Sequence, residues 1–162
     1  MLQCADMTKV AINGFGRIGR AFFRQALNEP SLEVVAVNDL GDITNLAYLL
    51  KYDSAYGRAP FEVSGQKGQL VVDGKPTQVL SEKDPSALPW RDMQVDVVVE
   101  STGHFTDYAK AKAHVDAGAK RVVISAPAKG DPDPSAPGAV ILMGVNEEKL
   151  NECVVSSNGS CT

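Results

Sequence analysis

The chain has 162 residues, 44% of them hydrophobic, which is enough for one well-packed core and short for a second full domain. A formal net charge of -4 and a pI near 5.1 leave no basic footprint, so neither nucleic acid nor an acidic membrane surface is expected as a partner. No stretch approaches bilayer-spanning length, and residues 1–8, with Asp6, carry no apolar signal-peptide core, so a soluble cytoplasmic protein with a short N-terminal extension is expected.

Val10 to Ile12 form a short apolar run suited to a buried strand, and the run breaks into Gly14, Gly16 and Gly19, spaced G-x-G-x-x-G. Gly14 suits a sharp turn, Gly16 keeps the backbone open to a pyrophosphate, and Gly19 permits close helix packing. A helix N-terminus behind such a loop attracts phosphate through its unpaired N–H groups. The helix is read from Ile18, Ala21, Phe22, Ala26 and Leu27, and stops before Pro30. A second strand, Leu32 to Val37, ends in Asn38 and Asp39, and Asp39 lies where an acid accepts hydrogen bonds from an adenosine ribose. The segment therefore reads as a dinucleotide-binding unit.

Asp42 is placed as the N-cap of a helix to Leu50, followed by KYDSAYG at Lys51 to Gly57. Phe61 to Val63, Gln69 to Val72 and Thr77 to Leu80 are expected as strands, the last two joined at Asp73-Gly74, which makes a small antiparallel excursion. Trp90 is expected as a core cover. Val95 to Val99 reads as a strand buried on both faces and opens into Glu100, Ser101, Thr102 and Gly103. A helix capped by Thr106 or Asp107 runs to Ala117. Strands follow at Val122 to Ile124, Val140 to Met143 and Cys153 to Val155, with one helical turn at Asn146 to Leu150. His104 and His114 are expected as solvated loop and helix residues.

Polar and glycine signals follow Ile12, Val37, Val99, Ile124 and Val155, the ends of five strand-like runs, and ligands bind at that edge of an open parallel sheet. The fold class is α/β: one domain over 1–162, with a doubly wound, mostly parallel Rossmann-type sheet. Cys4, Cys153 and Cys161 make neither a metal pattern nor an even disulfide framework, so no metal is expected and at least one thiol is free.

NGFGRIGR at Asn13 to Arg20, VND at Val37 to Asp39, LLKYDS at Leu49 to Ser54, ESTG at Glu100 to Gly103, VVISAP at Val122 to Pro127, MGVN at Met143 to Asn146 and SNGSCT at Ser157 to Thr162 together resemble the phosphorylating glyceraldehyde-3-phosphate dehydrogenases of glycolysis. The resemblance implies NAD as cofactor, with Arg17 and Ile18 at the pyrophosphate, Asp39 at the adenosine ribose, Lys83 on the adenine side and Ser125 at the nicotinamide end. It also implies that Ser101, Thr102, Gly103 and Phe105 line the groove, and that Asn13, Phe15, Asn38 and Ala126 belong to the cofactor-binding set. Cys161 would be the nucleophile, and Ser160 and Thr162 part of its phosphate site. A phosphorylated aldehyde and inorganic phosphate would be the small-molecule partners, in a homotetramer whose catalytic domain and general-base histidine would lie after Thr162. Lys83 in place of a common arginine, His104 in place of an apolar residue, Tyr56 in place of histidine and Gly159 in place of alanine depart from the family pattern.

Overall fold

The computed structural model describes residues 7–159. In chain order the elements are β1 (Thr8–Asn13), α1 (Arg17–Ala26), β2 (Leu32–Asn38), α2 (Ile43–Lys51), β3 (Tyr52–Asp53), β4 (Gly57–Arg58), β5 (Val63–Gln66), β6 (Gln69–Val72), β7 (Lys75–Leu80), β8 (Val97–Glu100), α3 (Tyr108–Asp116), β9 (Arg121–Ile124), β10 (Gly138–Val140) and β11 (Val155–Ser157). Single 3-10 turns occupy Pro85–Ala87 and Glu147–Asn151.

Nine strands form one sheet in the order β10-β11-β9-β8-β1-β2-β7-β6-β5. The pairs from β10 through β7 are parallel, while β6 runs antiparallel to β7 and β5, so the excursion extends the sheet at one edge. The chain moves outward from β1 through β2 to the β5 edge, then returns to place β8 on the other side of β1. Strand order reverses there, and in a doubly wound sheet the ligand crevice opens at that reversal.

Successive side chains of a strand face opposite sides, and β1 and β2 use this to supply both layers. Ala11 and Ala36 pack with Trp90, Val98, Tyr108 and Val122 on the α3 side. Ile12 and Val37 pack with Phe15, Phe23, Leu46 and Leu50 on the α1 and α2 side. The Asp42 carboxylate caps α2 by accepting from the N–H groups of Thr44 and Asn45, and Asp107 caps α3 through Ala109 N–H.

Several boundaries differ from the sequence reading. The first excursion strand is Val63–Gln66 rather than Phe61 to Val63, because a tight turn at Lys67 and Gly68, both with positive φ, sets its register against β6. The strands expected at Val95 to Val99, Val140 to Met143 and Cys153 to Val155 become β8, β10 and β11, each displaced by two residues or so as register with the parallel neighbour dictates. The buried face of α1 is Gly19, Phe23 and Ala26, whereas Ile18 and Leu27, expected inside, are exposed. β1 begins at Thr8, within the stretch expected as an extension. No helix among the described residues is long and apolar enough to cross a membrane.

Candidate functional site

The glycine loop is built by contact with the neighbouring strand exit. Gly14 has φ +92°, and a Cβ there would lie 2.7 Å from Thr102 N. A Cβ on Gly19 would lie 2.1 Å from the Gly14 carbonyl oxygen, so the first turn of α1 rests on the loop itself. Gly16, by contrast, faces open space. It is the N-cap residue of α1, whose first turn holds no acidic residue, so the positive end of the helix meets the opening without a competing negative charge.

A groove of about 370 Å³ lies at the carboxyl edge between β1, β2 and β8. It brings together Asn13, Gly14, Gly16, Asn38, Asp39, Lys83, Ser101, Thr102 and Phe105 from the expected set. Leu40, Glu82 and His104 join them, and sequence reasoning did not anticipate these three as wall residues. Asp39 Oδ2 accepts from Phe15 N–H at 2.7 Å and Oδ1 from Gly41 N–H at 2.8 Å, which aims the carboxylate across the mouth of the glycine loop. Ser101 ties the walls together: its N–H donates to the Asn13 carbonyl at 2.8 Å and its hydroxyl to the Gly14 carbonyl at 2.6 Å.

Arg20 braces the loop from behind, donating from Nη1 to the Phe15 carbonyl at 2.8 Å. Burial lowers the pKa of this guanidinium, opposed by the nearby Asp53 and Asp39 carboxylates. The Phe15 side chain is core, edge-on to Phe23, so only its backbone serves the site. Arg17, Ile18, Gly103, Ser125 and Ala126 lie outside the groove wall itself. Arg17 and Ile18 open α1, and Ser125 N–H donates to the Glu100 carbonyl at 3.0 Å, placing the β9 exit beside that of β8.

The β9 and β11 exits are joined through Ser157, whose hydroxyl donates to the Ala126 carbonyl at 2.7 Å and accepts from Ala128 N–H at 3.0 Å. Asn158 N–H donates to the Ile124 carbonyl, and Gly159 takes φ +76°, a left-handed conformation in which a side chain is strained. Ser160, Cys161 and Thr162 lie outside the described residues, as does Cys4. Cys153 is buried, and burial pushes its thiol up, as suits a packing residue.

Beneath the groove lies a buried polar cluster. Glu100 accepts at Oε1 from Thr102 N–H (2.8 Å) and the Thr102 hydroxyl (2.5 Å), and at Oε2 from Asn13 Nδ2 (2.6 Å). His114 Nε2 lies 3.1 Å from the same Oε2, and Trp90 Nε1 donates to His114 Nδ1 at 3.0 Å. His114 is 0% exposed and Glu100 1%, which corrects the expectation of a solvated helix residue: the stripe Tyr108, Ala111, His114 is the face that α3 turns to the sheet. His104 is exposed, as expected of a loop residue. The available signal was polar Asn13 and Glu100 at the ends of two apolar strands, which need buried partners. Among the described residues no group of three or more His, Cys, Asp or Glu could hold a metal ion.

Comparison with known proteins agrees with this geometry. Residues 8–108 match the family model described as glyceraldehyde 3-phosphate dehydrogenase, NAD binding domain. The glyceraldehyde-3-phosphate dehydrogenase of Geobacillus stearothermophilus is 54% identical over 156 residues, covering 95% of this chain and 45% of the relative. Glyceraldehyde-3-phosphate dehydrogenase 1 of Bacillus subtilis is 53% identical over 156 residues with the same coverage, and the Clostridium pasteurianum enzyme 53% over 157 residues, covering 96% and 45%. The chain thus spans about 45% of the length of these curated relatives. With a glycine loop at the N-terminus of α1, Asp39 at its mouth and a groove at the strand-order reversal, the chain belongs to the glyceraldehyde 3-phosphate dehydrogenase NAD-binding domain family, and its cofactor is NAD.

Proposed function

We propose that this chain is the cofactor half of a phosphorylating glyceraldehyde-3-phosphate dehydrogenase, working in the cytoplasm as part of a homotetramer. The observation that carries the reading is Asp39, fixed by Phe15 N–H at the mouth of the glycine loop, where it accepts from the adenosine ribose hydroxyls and repels a 2'-phosphate. Gly16 and the α1 N-terminus take the pyrophosphate with Arg17 and Ile18 alongside, Lys83 lies on the adenine side, and Thr102, Gly103, Phe105, Ser125 and Ala126 lead toward the nicotinamide end. NAD supplies a hydride acceptor. Cys161 would add to the aldehyde of glyceraldehyde 3-phosphate as a thiolate, giving a thiohemiacetal as its alkoxide; loss of hydride from that alkoxide would leave a thioester, which inorganic phosphate, held by Ser160 and Thr162, would cleave to an acyl phosphate, returning the Cys161 thiolate.

The 162 residues alone are read as an NAD-binding module without turnover. In support, the chain's two histidines are His104, exposed on the groove rim, and His114, enclosed in hydrogen bonds, so neither is placed as a general base. Calorimetry with NAD and NADP tests the cofactor assignment, and equal or tighter NADP binding overturns the role given to Asp39. Assay with glyceraldehyde 3-phosphate, NAD and phosphate tests the rest: turnover in the full gene product, abolished by Cys161→Ser and missing from the 162-residue chain, is the expected result.

A further inference from the structure

The cluster beneath the groove is a line of side chains in which geometry assigns every hydrogen. The indole of Trp90 can only donate, so His114 Nδ1 is an acceptor and the imidazole hydrogen sits on Nε2, directed at Glu100 Oε2. At the other end, Glu82 N–H donates to Asn38 Oδ1 at 2.8 Å while Asn38 Nδ2 donates to the Glu82 carbonyl at 2.9 Å, which fixes the Asn38 amide. Asn38 Nδ2 also donates to Asn13 Oδ1 at 2.7 Å, so Asn13 must offer Nδ2 to Glu100. Both arms therefore donate toward one carboxylate oxygen.

Asn13 Nδ2 and His114 Nε2 lie 3.3 Å apart. As two donors sharing an acceptor they hold one arrangement; were the imidazole hydrogen on Nδ1, Nε2 would become a rival acceptor for the Asn13 amide. The Trp90 N–H and the Glu100 carboxylate together exclude that alternative, because an Nδ1–H would face the indole donor to donor and a bare Nε2 would face Glu100 Oε2 acceptor to acceptor.

We propose that Trp90 and His114 are positioning residues of the NAD groove. The indole N–H and the Glu100 carboxylate hold the His114 ring from its two nitrogens, and through Glu100 the held ring fixes Asn13 and the spacing of the β1, β2 and β8 ends that carry Gly14, Asp39 and Thr102. Neither residue lines the groove; both act from the α3 side of the sheet. The inference rests on the groove being the NAD site.

The test uses the full natural gene product. Long-range ¹H–¹⁵N spectra of the histidine rings should show His114 as the Nε2–H tautomer in the unmutated protein, with the Nδ1 resonance moving from its hydrogen-bonded position toward that of a free ring nitrogen in Trp90→Phe. NAD affinity of Trp90→Phe, measured well below its unfolding temperature, should fall by about five- to tenfold, the consequence of one unmatched buried polar group. His114→Gln, which keeps an acceptor and a donor, should bind NAD more tightly than His114→Leu, which keeps only bulk. A role in stability alone would lower unfolding midpoints and leave affinity within about twofold. An Nδ1–H or doubly protonated His114 in the unmutated protein overturns the inference. So does unchanged affinity in a folded Trp90→Phe; where that variant does not fold, equal binding by the Leu and Gln variants overturns it. Failure of the unmutated protein to bind NAD would overturn the groove assignment instead.

Discussion

The two layers flanking the sheet are held by different physics. On the α1 and α2 side the core is apolar throughout, with Phe15 and Phe23 edge to face at 5.5 Å beside Leu46, Leu50 and Leu70. On the α3 side Trp90, Tyr108 and Val122 are equally buried, yet His114 and Glu100 share the interior with them. Volume decides the first layer; the direction of each hydrogen bond decides the second. The second layer lies under the groove, so the more exacting specification is where the groove wall is built.

The largest expected effect breaks the first layer. Phe23→Ala should cost about 3–5 kcal/mol in denaturant unfolding, while Phe23→Leu, which keeps most of the bulk, should recover much of it. Glu100→Gln sharpens the contrast: it preserves volume but turns an amide donor toward groups that themselves donate, and should cost about 1–3 kcal/mol. Leu46→Met, an equally conservative swap in the apolar layer, should stay under about 1.5 kcal/mol. If the two conservative swaps cost the same, the distinction between the layers fails.

Smaller effects lie outside both layers. Asp42→Ala removes the α2 cap and should lower stability by about 1 kcal/mol, with loss of protection in the first turn by hydrogen exchange. At the opposite edge of the sheet, a hydrogen bond from Lys120, with Lys9 N–H adding to it, holds Asp96 below the ordinary carboxylate range. A lowered folded-state pKa stabilises above the unfolded value of about 3.9 and the benefit is lost as pH falls through the folded value. Lys120→Met should therefore move acid unfolding to higher pH and cost under about 1 kcal/mol at neutrality, the Lys120 end of the pair being largely exposed.

The β1-α1-β2 unit, Asp39 and the caps at Asp42 and Asp107 were legible because each is a local pattern. The buried face of α1 was not. Two apolar stripes overlap on that helix, and what chooses between them is Gly19, which carries no hydropathy but must press on the Gly14 carbonyl, bringing Phe23 and Ala26 inward. His114 was misplaced for a related reason: hydropathy counts it polar, and its partners Trp90 and Glu100 are 24 and 14 residues away in sequence. The strand-end residues around β1 come together in one groove, and Leu40, Glu82 and His104, whose positions depend on loops, complete its wall.

The central place of β1 also orders assembly. Its pairing with β2 joins Thr8 to Leu32, a short closure, whereas its pairing with β8 joins Val10 to Val97. Loop-closure entropy alone makes the second pairing about 1 kcal/mol harder to form. Low contact order thus favours the glycine loop between β1 and α1 first, and the wall carrying Thr102 arrives only when β8 docks. A chain caught between these stages has the loop but not the groove, which closes only with the later pairing.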